Sequence, residues 1–457
     1  MQNIIIIIYL SLVLVIGMMA GRRISGLKEY AVAGKSFGAL IIFATLSASF
    51  IGGGFSMGNA EKVFLVGISN IVALWGFSLK EILVAVFIAP RMRQYPDAIS
   101  VGDIIEPHYG KTARIVTGIL GVALCAGILG AQIGAMGYIF NLFIGIDRVA
   151  GILIGCGIVI AYATFGGMRS VIWTDVMQFL VLAAGIPLTL VYGISHAGGW
   201  NAIVSSIPDT HISLPSDPGN IAALAALFLT FLLGETLVPP YVQRLMIGKN
   251  EREVARGTLL SGLFSIPFFA VTGLIGIVAL SLQPDLNPNL AMPFVIQESL
   301  PPIAQGIVIA AIVSIIMSSA DSFLNGAAIA LSNDLVNPLR KQPLTPSAEL
   351  LLARSTTLLT GVLSVLFALS IESILDILIY AYNFWAPTVL VPLGMAILGF
   401  KATPSRFFWS AAIGAAIALL WNTFLASPYG IDGLVIGCLA NLAVFLMIPA
   451  GNHPSHP

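Results

Sequence analysis

Two short stretches carry oxygen atoms at spacings that suit an ion. In Ser314-Ile315-Ile316-Met317-Ser318-Ser319-Ala320-Asp321-Ser322, positions 315, 318 and 319 stand at i, i+3 and i+4. That spacing puts the Ile315 carbonyl and the Ser318 and Ser319 hydroxyls on one helical face. In Ser47-Ala48-Ser49-Phe50-Ile51-Gly52-Gly53-Gly54-Phe55-Ser56-Met57-Gly58, three consecutive glycines follow Ile51. Each glycine costs a helix interior about 1 kcal/mol against alanine, so the run predicts a break. Ala48 and Ile51, three residues apart just before it, would then turn freed carbonyls the same way. Together these are five neutral oxygens, which suit a hard monovalent cation; a divalent ion prefers more carboxylates. Each stretch also has a plainer reading. The glycines would serve as a close-packing face, and the serines would bond back to their own helix.

The same apolar runs hold Lys80, Glu81, Asp175, Glu235 and Asp321, with Arg169 and Asp376 near their ends. Ionisable groups inside a membrane span are costly and functional by default. Lys80 and Glu81 are sequence neighbours and so point about 100° apart on a helix. They need not pair, and each is available to a solute or to another helix. Asp321 fits a helix–helix hydrogen bond as well as a site. Glu235 lies in Leu233-Gly234-Glu235-Thr236-Leu237-Val238-Pro239-Pro240, where a glycine and two prolines predict a second irregular helix. Gly54-Phe55-Ser56-Met57-Gly58 matches the nucleophile elbow G-x-S-x-G, which requires a strand–turn–helix setting and a base. This match lies in an apolar helical run instead. The five histidines (His108, His196, His211, His453, His456) fall in predicted loops or the tail. The chain therefore reads as no enzyme, with no cofactor and no histidine-based metal site.

The elements that must position these residues are membrane helices. Of 457 residues, 58% are hydrophobic and 9% charged, against about 25% charged in a soluble domain. Thirteen candidate spans follow, at residues 3–20, 37–66, 69–89, 113–143, 149–165, 170–194, 221–246, 256–282, 301–331, 349–369, 373–398, 405–426 and 431–448. Each is near the roughly 20 residues that a bilayer requires. The first has no basic lead or cleavage motif and reads as a retained helix. All but Lys62, Lys80 and Arg148 of the 21 Lys and Arg fall in one alternating set of loops, Arg244 among them. Basic loops stay cytoplasmic, which places the N-terminus outside and the C-terminus inside. The setting is a cytoplasmic membrane. Cys125, Cys156 and Cys438 lie in apolar runs and suggest no disulfide framework. Net charge is zero, and the loops are too short for a soluble domain. Nucleic-acid partners are excluded and no obligate protein partner is evident.

Longer motifs add a resemblance. Tyr162-Ala163-Thr164-Phe165-Gly166-Gly167-Met168-Arg169-Ser170-Val171-Ile172-Trp173-Thr174-Asp175-Val176-Met177-Gln178 resembles the signature of the sodium/solute symporter family. Glu29 to Lys35, Gln243-Arg244, and Met317 to Ser322 with Ser332-Asn333-Asp334 follow in the family's order. The resemblance implies an all-α polytopic fold with a LeuT-like core of two five-helix repeats of inverted topology. Here those are residues 37–194 and 195–398, with 1–36 and 399–457 as additions outside the core. It implies sodium-coupled import of a small polar solute, with proton coupling as the alternative on the same fold. Its sodium site maps onto Ala48, Ile51, Ile315, Ser318 and Ser319, the same oxygens reached from spacing. Its signature aspartate is Asp175, which with Ser318 is a candidate second cation site.

The solute is less legible. Phe50 to Phe55 and Met317 to Ser322 look closest to the choline-transporter branch, with sodium/proline symporters next. Choline recognition uses aromatic rings, yet the matching positions here are Phe50, Phe77 and Val238. The acidic residue of the sodium/proline pattern aligns with Phe50. The solute-site candidates are Phe50, Gly53, Gly54, Phe55, Phe77, Lys80, Glu81, Gln132, Glu235 and Asn383. Lys80 would suit an anionic group and Glu81 or Glu235 a cationic one, as in a zwitterion.

Overall fold

The computed structural model describes residues 2–21, 24, 26–51, 53–342, 344–370, 383, 385–401 and 403–449. Regular structure among them is helical, apart from one isolated bridge between Phe37 and Gly248. The first half holds α1 (Gln2–Ala20), α2 (Leu27–Val32), α3 (Ala39–Phe50), α4 (Gly53–Val66) and α5 (Ser69–Leu83). Then come α6 (Val101–Tyr109), α7 (Lys111–Ile144) and α8 (Arg148–His196). The second half holds α9 (Trp200–Ser206), α10 (Pro218–Leu233), α11 (Pro239–Met246), α12 (Glu251–Leu282), α13 (Ala291–Ser299) and α14 (Pro302–Ile329). It closes with α15 (Asn337–Leu339), α16 (Pro346–Ser370), α17 (Val391–Leu398), α18 (Pro404–Thr423) and α19 (Gly433–Met447).

Among the described residues, seven helical stretches are long and apolar enough to cross a membrane, or eight if α3 and α4 form one bent span. Residues 373–382 and 384 of the predicted span at 373–398, Asp376 among them, lie outside the described residues. The predicted spans at 149–165 and 170–194 turn out to be one helical run, α8, of 49 residues. A straight rod of that length would reach about 74 Å at 1.5 Å per residue, far beyond a hydrocarbon layer of about 30 Å. The run is broken by a kink at a single residue, Gly167, with φ 46° and ψ −147°. A Cβ there would stand 2.5 Å from the Tyr30 carbonyl oxygen, so this corner requires glycine. The helical lengths on either side, residues 148–166 and 168–196, are 19 and 29 residues, each near or above the roughly 20 that a bilayer requires.

Two helices break where the sequence predicts it. α3 and α4 meet at 51°, with Gly52 outside the described residues. Between α10 and α11 the chain leaves helical geometry, and Leu237 takes φ 54°. That is an uncommon conformation for a residue with a large side chain, reached just before Pro239-Pro240 restart the helix. At the centre stands α14, buried on every face from Val308 to Ile329. An all-round apolar helix belongs in a bundle's middle, and α14 packs on α8, α7, α1 and α16, with α3 at its waist. Outward faces stay apolar: Ile4, Ile7, Ile8 and Leu12 on α1, and Leu351, Leu358 and Leu359 on α16, are exposed. Such a belt matches lipid rather than water.

Candidate ion and solute site

The last carbonyls of a helix have no N–H partner within it, so the end of α3 offers acceptors deep in the bundle. Ser319 Oγ on α14 donates to the Ser49 carbonyl at 2.9 Å. Ser56 Oγ donates to the Ile51 carbonyl at 2.9 Å, which leaves that serine inside α4 rather than on an elbow. Ser318 Oγ donates to Asp175 Oδ1 at 2.5 Å and lies 3.1 Å from Ser49 Oγ. Ala48, Ile51, Ile315, Ser318 and Ser319 are all buried. The structure thus brings Ser318 and Ser319 against the α3 terminus, with Ala48 beside Ser49 and Ile315 one turn back along α14. Each serine gives its proton to an internal acceptor, which leaves oxygen lone pairs for a cation.

Beside this seam lies a group the sequence analysis misplaced. Arg244 is not a loop residue: it is fully buried on α11. Its Nη2 donates to Asp175 Oδ2 at 3.0 Å, Ser49 Oγ at 2.7 Å and Ser322 Oγ at 2.5 Å. Its Nε reaches Thr45 Oγ1 at 3.2 Å and its Nη1 the Pro240 carbonyl at 3.1 Å. Thr45 also donates to Asp175 Oδ2. The Pro239-Pro240 start of α11 explains the burial. It turns the chain back into the bundle, so a residue near a basic loop projects inward.

A second carboxylate adjoins. Asp321 Oδ2 accepts from Tyr162 at 2.5 Å, and Asp321 Oδ1 lies 3.1 Å from Ser322 Oγ. Asp175, Asp321 and Arg244 leave one net negative charge if both acids are ionised. A buried net charge is costly, so the cluster favours a further cation or a proton.

The third cluster surrounds Lys80. Its Nζ stands 3.6 Å from the Phe77 ring centre, 4.7 Å from Tyr241 and 5.8 Å from Phe50. Lys80 and Glu81 do pair, with Nζ and Oε1 2.9 Å apart and both side chains buried. The sequence left their pairing open; the flexible four-carbon stem of Lys80 brings its tip to the carboxylate of its neighbour. Tyr241 donates to Glu81 Oε2 at 3.0 Å.

Tyr241 is the cage ring the sequence analysis missed. It lies three residues after Val238, the position matched there. The available signal was Pro239-Pro240 as a helix start, which puts Tyr241 and Arg244 at i and i+3 on one face.

Of the other solute-site candidates, Gly53 and Gly54 open α4. Phe55 stacks 5.2 Å from Phe77 and 5.8 Å from Phe231. Gln132 is buried on α7, and Glu235 is buried in the break before α11. Asn383 accepts from Asn422 at 3.1 Å, and Asn422 also takes the Gly433 amide at 2.7 Å. That ties Asn383 to the turn joining α18 and α19.

Broken helices meeting a serine-bearing central helix in an all-α bundle define a secondary transporter. The model of the sodium:solute symporter family matches residues 30–414, and the chain belongs to that family. It is 24% identical over 436 residues to the high-affinity proline transporter PutP of Bacillus subtilis (strain 168), which covers 89% of each chain. It is 24% identical over 441 residues to the high-affinity choline transporter 1 of Drosophila melanogaster, covering 91% of this chain and 69% of the relative. A Na+-coupled sialic acid symporter in a substrate-bound outward-open state aligns with a TM-score of 0.82 at 19% identity. That alignment covers 98% of this chain and 97% of the other, and it shows the LeuT-like inverted-repeat fold. The chain is a sodium-coupled solute symporter of the membrane.

Proposed function

We propose that the chain imports a small organic solute with sodium across the cytoplasmic membrane by alternating access. Sodium binds Ala48, Ile51, Ile315, Ser318 and Ser319. The observation that carries this is the Ser319 hydroxyl on the Ser49 carbonyl at 2.9 Å, which sets the serine pair of α14 against the broken end of α3. An ion there ties the first repeat (37–194) to the second (195–398). Thirteen crossings, with the N-terminus outside and the C-terminus inside, agree with the distribution of Lys and Arg. One charge entering down 100 mV supplies about 2.3 kcal/mol before any sodium gradient. No cofactor or protein partner enters the cycle.

A second cation site at Asp175 and Ser318 is part of this reading, with one amendment. Arg244 already holds Asp175 at 3.0 Å, so the remaining negative charge is shared with Asp321. The same residual charge favours one alternative, in which a proton rather than a second sodium ion is carried there.

The test is uptake into proteoliposomes with and without a sodium gradient, in the wild type and in Ser318→Ala with Ser319→Ala. Sodium should drive uptake, and the double variant should need about tenfold more sodium, as expected for losing hydroxyl ligands to a charge. An unchanged apparent sodium affinity would refute the ion site. Uptake driven by a proton gradient alone would replace sodium with the proton.

A further inference from the structure

We propose that the solute is a carboxylate with an apolar body and no ammonium group, and that Lys80 is its anion ligand. This rests on the symport reading and names the substrate class of the same site. Phe50, Phe77 and Tyr241 form the kind of aromatic enclosure that would take a quaternary ammonium or the ammonium of an amino acid. In this chain that place is filled. The Lys80 ammonium sits 3.6 Å from the Phe77 ring centre and 4.7 Å from that of Tyr241. A second cation would have to enter the same ring set against a fixed like charge.

The ammonium also has donors to spare. It carries three N–H groups and is fully buried. Among the described residues its counter-charge is Glu81 Oε1 at 2.9 Å, which takes at most one of them. A buried charge with unfilled donors is the complement of an acceptor that carries negative charge. Glu81 does not need Lys80 to stay bonded, because Tyr241 donates to its other oxygen at 3.0 Å. An incoming carboxylate takes the ammonium donors that Glu81 leaves free.

Two further features agree. The helix α4 has 14 residues and starts at Gly53, and its N-terminal amides favour an anion. Phe55, in its first turn, lies 5.2 Å from Phe77, the ring under Lys80. The walls beyond are Phe231 and Phe269, 5.8 and 6.2 Å from Phe55, which suits an apolar body over a polyol.

The experiment measures uptake of radiolabelled butyrate, benzoate, proline and choline by the full chain in proteoliposomes, with and without a sodium gradient. Sodium-driven uptake of butyrate or benzoate, and not of proline or choline, is expected. Lys80→Met with Glu81→Gln removes both charges and leaves neither one buried alone. It should lower carboxylate kcat/KM by about tenfold or more, the scale of one lost hydrogen bond to a charge, while sodium still raises the melting temperature of the detergent-purified variant. Sodium-driven uptake of proline or choline but of neither carboxylate would overturn the inference and leave symport standing. Carboxylate uptake that ignores sodium would support Lys80 and overturn the coupling. Uptake of none of the four, or carboxylate uptake unchanged in the double variant, would also overturn the inference.

Discussion

Replacing Arg244 with methionine keeps the volume of the stem and removes the charge. The guanidinium contacts Asp175, Ser49, Ser322, Thr45 and the Pro240 carbonyl, all within 3.2 Å. Breaking a buried pair by removing one partner costs about 3–5 kcal/mol, because the other charge is left alone. Here the cost belongs at the upper end, since Asp321 adds a second acid 3.1 Å from the Ser322 hydroxyl that Arg244 bonds. Arg244→Met with Asp175→Asn returns most of it, since the amide keeps the serine and threonine partners without the charge. Unfolding of the four proteins in mixed micelles by denaturing detergent, followed by tryptophan fluorescence, gives the coupling energy from the double-mutant cycle. A coupling of about 2 kcal/mol or more is expected. Sodium should rescue Arg244→Met more than the wild type, because an ion then replaces the guanidinium at Asp175. If the two substitutions add within about 0.5 kcal/mol, the range for independent sites, Arg244 is not the counter-charge that holds this cluster.

Gly167→Ala should destabilise the protein by about 1–3 kcal/mol, the usual cost of forcing a residue into a sparsely populated backbone region. Glycine-to-alanine at Gly157, which has open space around it, is the control, and equal melting temperatures would refute the corner. Tyr241→Phe keeps the ring beside Lys80 and removes the donor to Glu81; solute KM should rise several-fold, and an unchanged KM would detach Tyr241 from the solute site. Beyond the predicted spans, His108 is half-buried beside the Tyr95 hydroxyl at 2.9 Å. Burial pushes its pKa below the ordinary histidine value, so the unfolded chain takes up the proton first as pH falls. Stability should therefore drop as pH falls through the ordinary histidine range, near 6.5. His108→Gln should flatten that part of the profile of melting temperature against pH, and an unaltered profile would refute the assignment.

What the sequence revealed was whatever depends on backbone chemistry and spacing. The glycines after Ile51 and the Gly234-to-Pro240 run announced both helix breaks, since glycine and proline act on the chain locally. Ser318 and Ser319 could be placed on one face because helical register alone decides it. Asp175 was singled out by its place in the motif that resembles the family signature, not by register. The failures share a different cause. Arg244 was assigned to a loop by its place in the chain and the charge rule for loops, yet the burial of α11 is a tertiary fact. The pairing of Lys80 and Glu81 stayed open because helical geometry fixes their Cβ directions about 100° apart, while their long side chains pair at the tips. Tyr241 was missed because Val238, the matched position, is one turn away from it.

Those misses meet in one element and suggest how ion and solute are linked. The eight-residue helix α11 presents Tyr241 to Glu81 and the Lys80 cage, and Arg244 to Asp175, Ser49 and Ser322. Phe50, the last residue of α3, stands between the two clusters, 5.8 Å from Lys80 Nζ and 5.5 Å from the Arg244 guanidinium. A helix this short moves as one body, and the strained turn at Leu237 with Pro239-Pro240 leaves its start free of helical bonds to α10. Any displacement that releases Tyr241 from Glu81 therefore also shifts Arg244 against the seam proposed for sodium. A ligand at either cluster biases the same two-state element, which is the physical content of a coupling free energy. On this reading the link between ion and solute runs through α11 and Phe50, because the proposed ion seam, the guanidinium and the Lys80 rings share that helix and that ring.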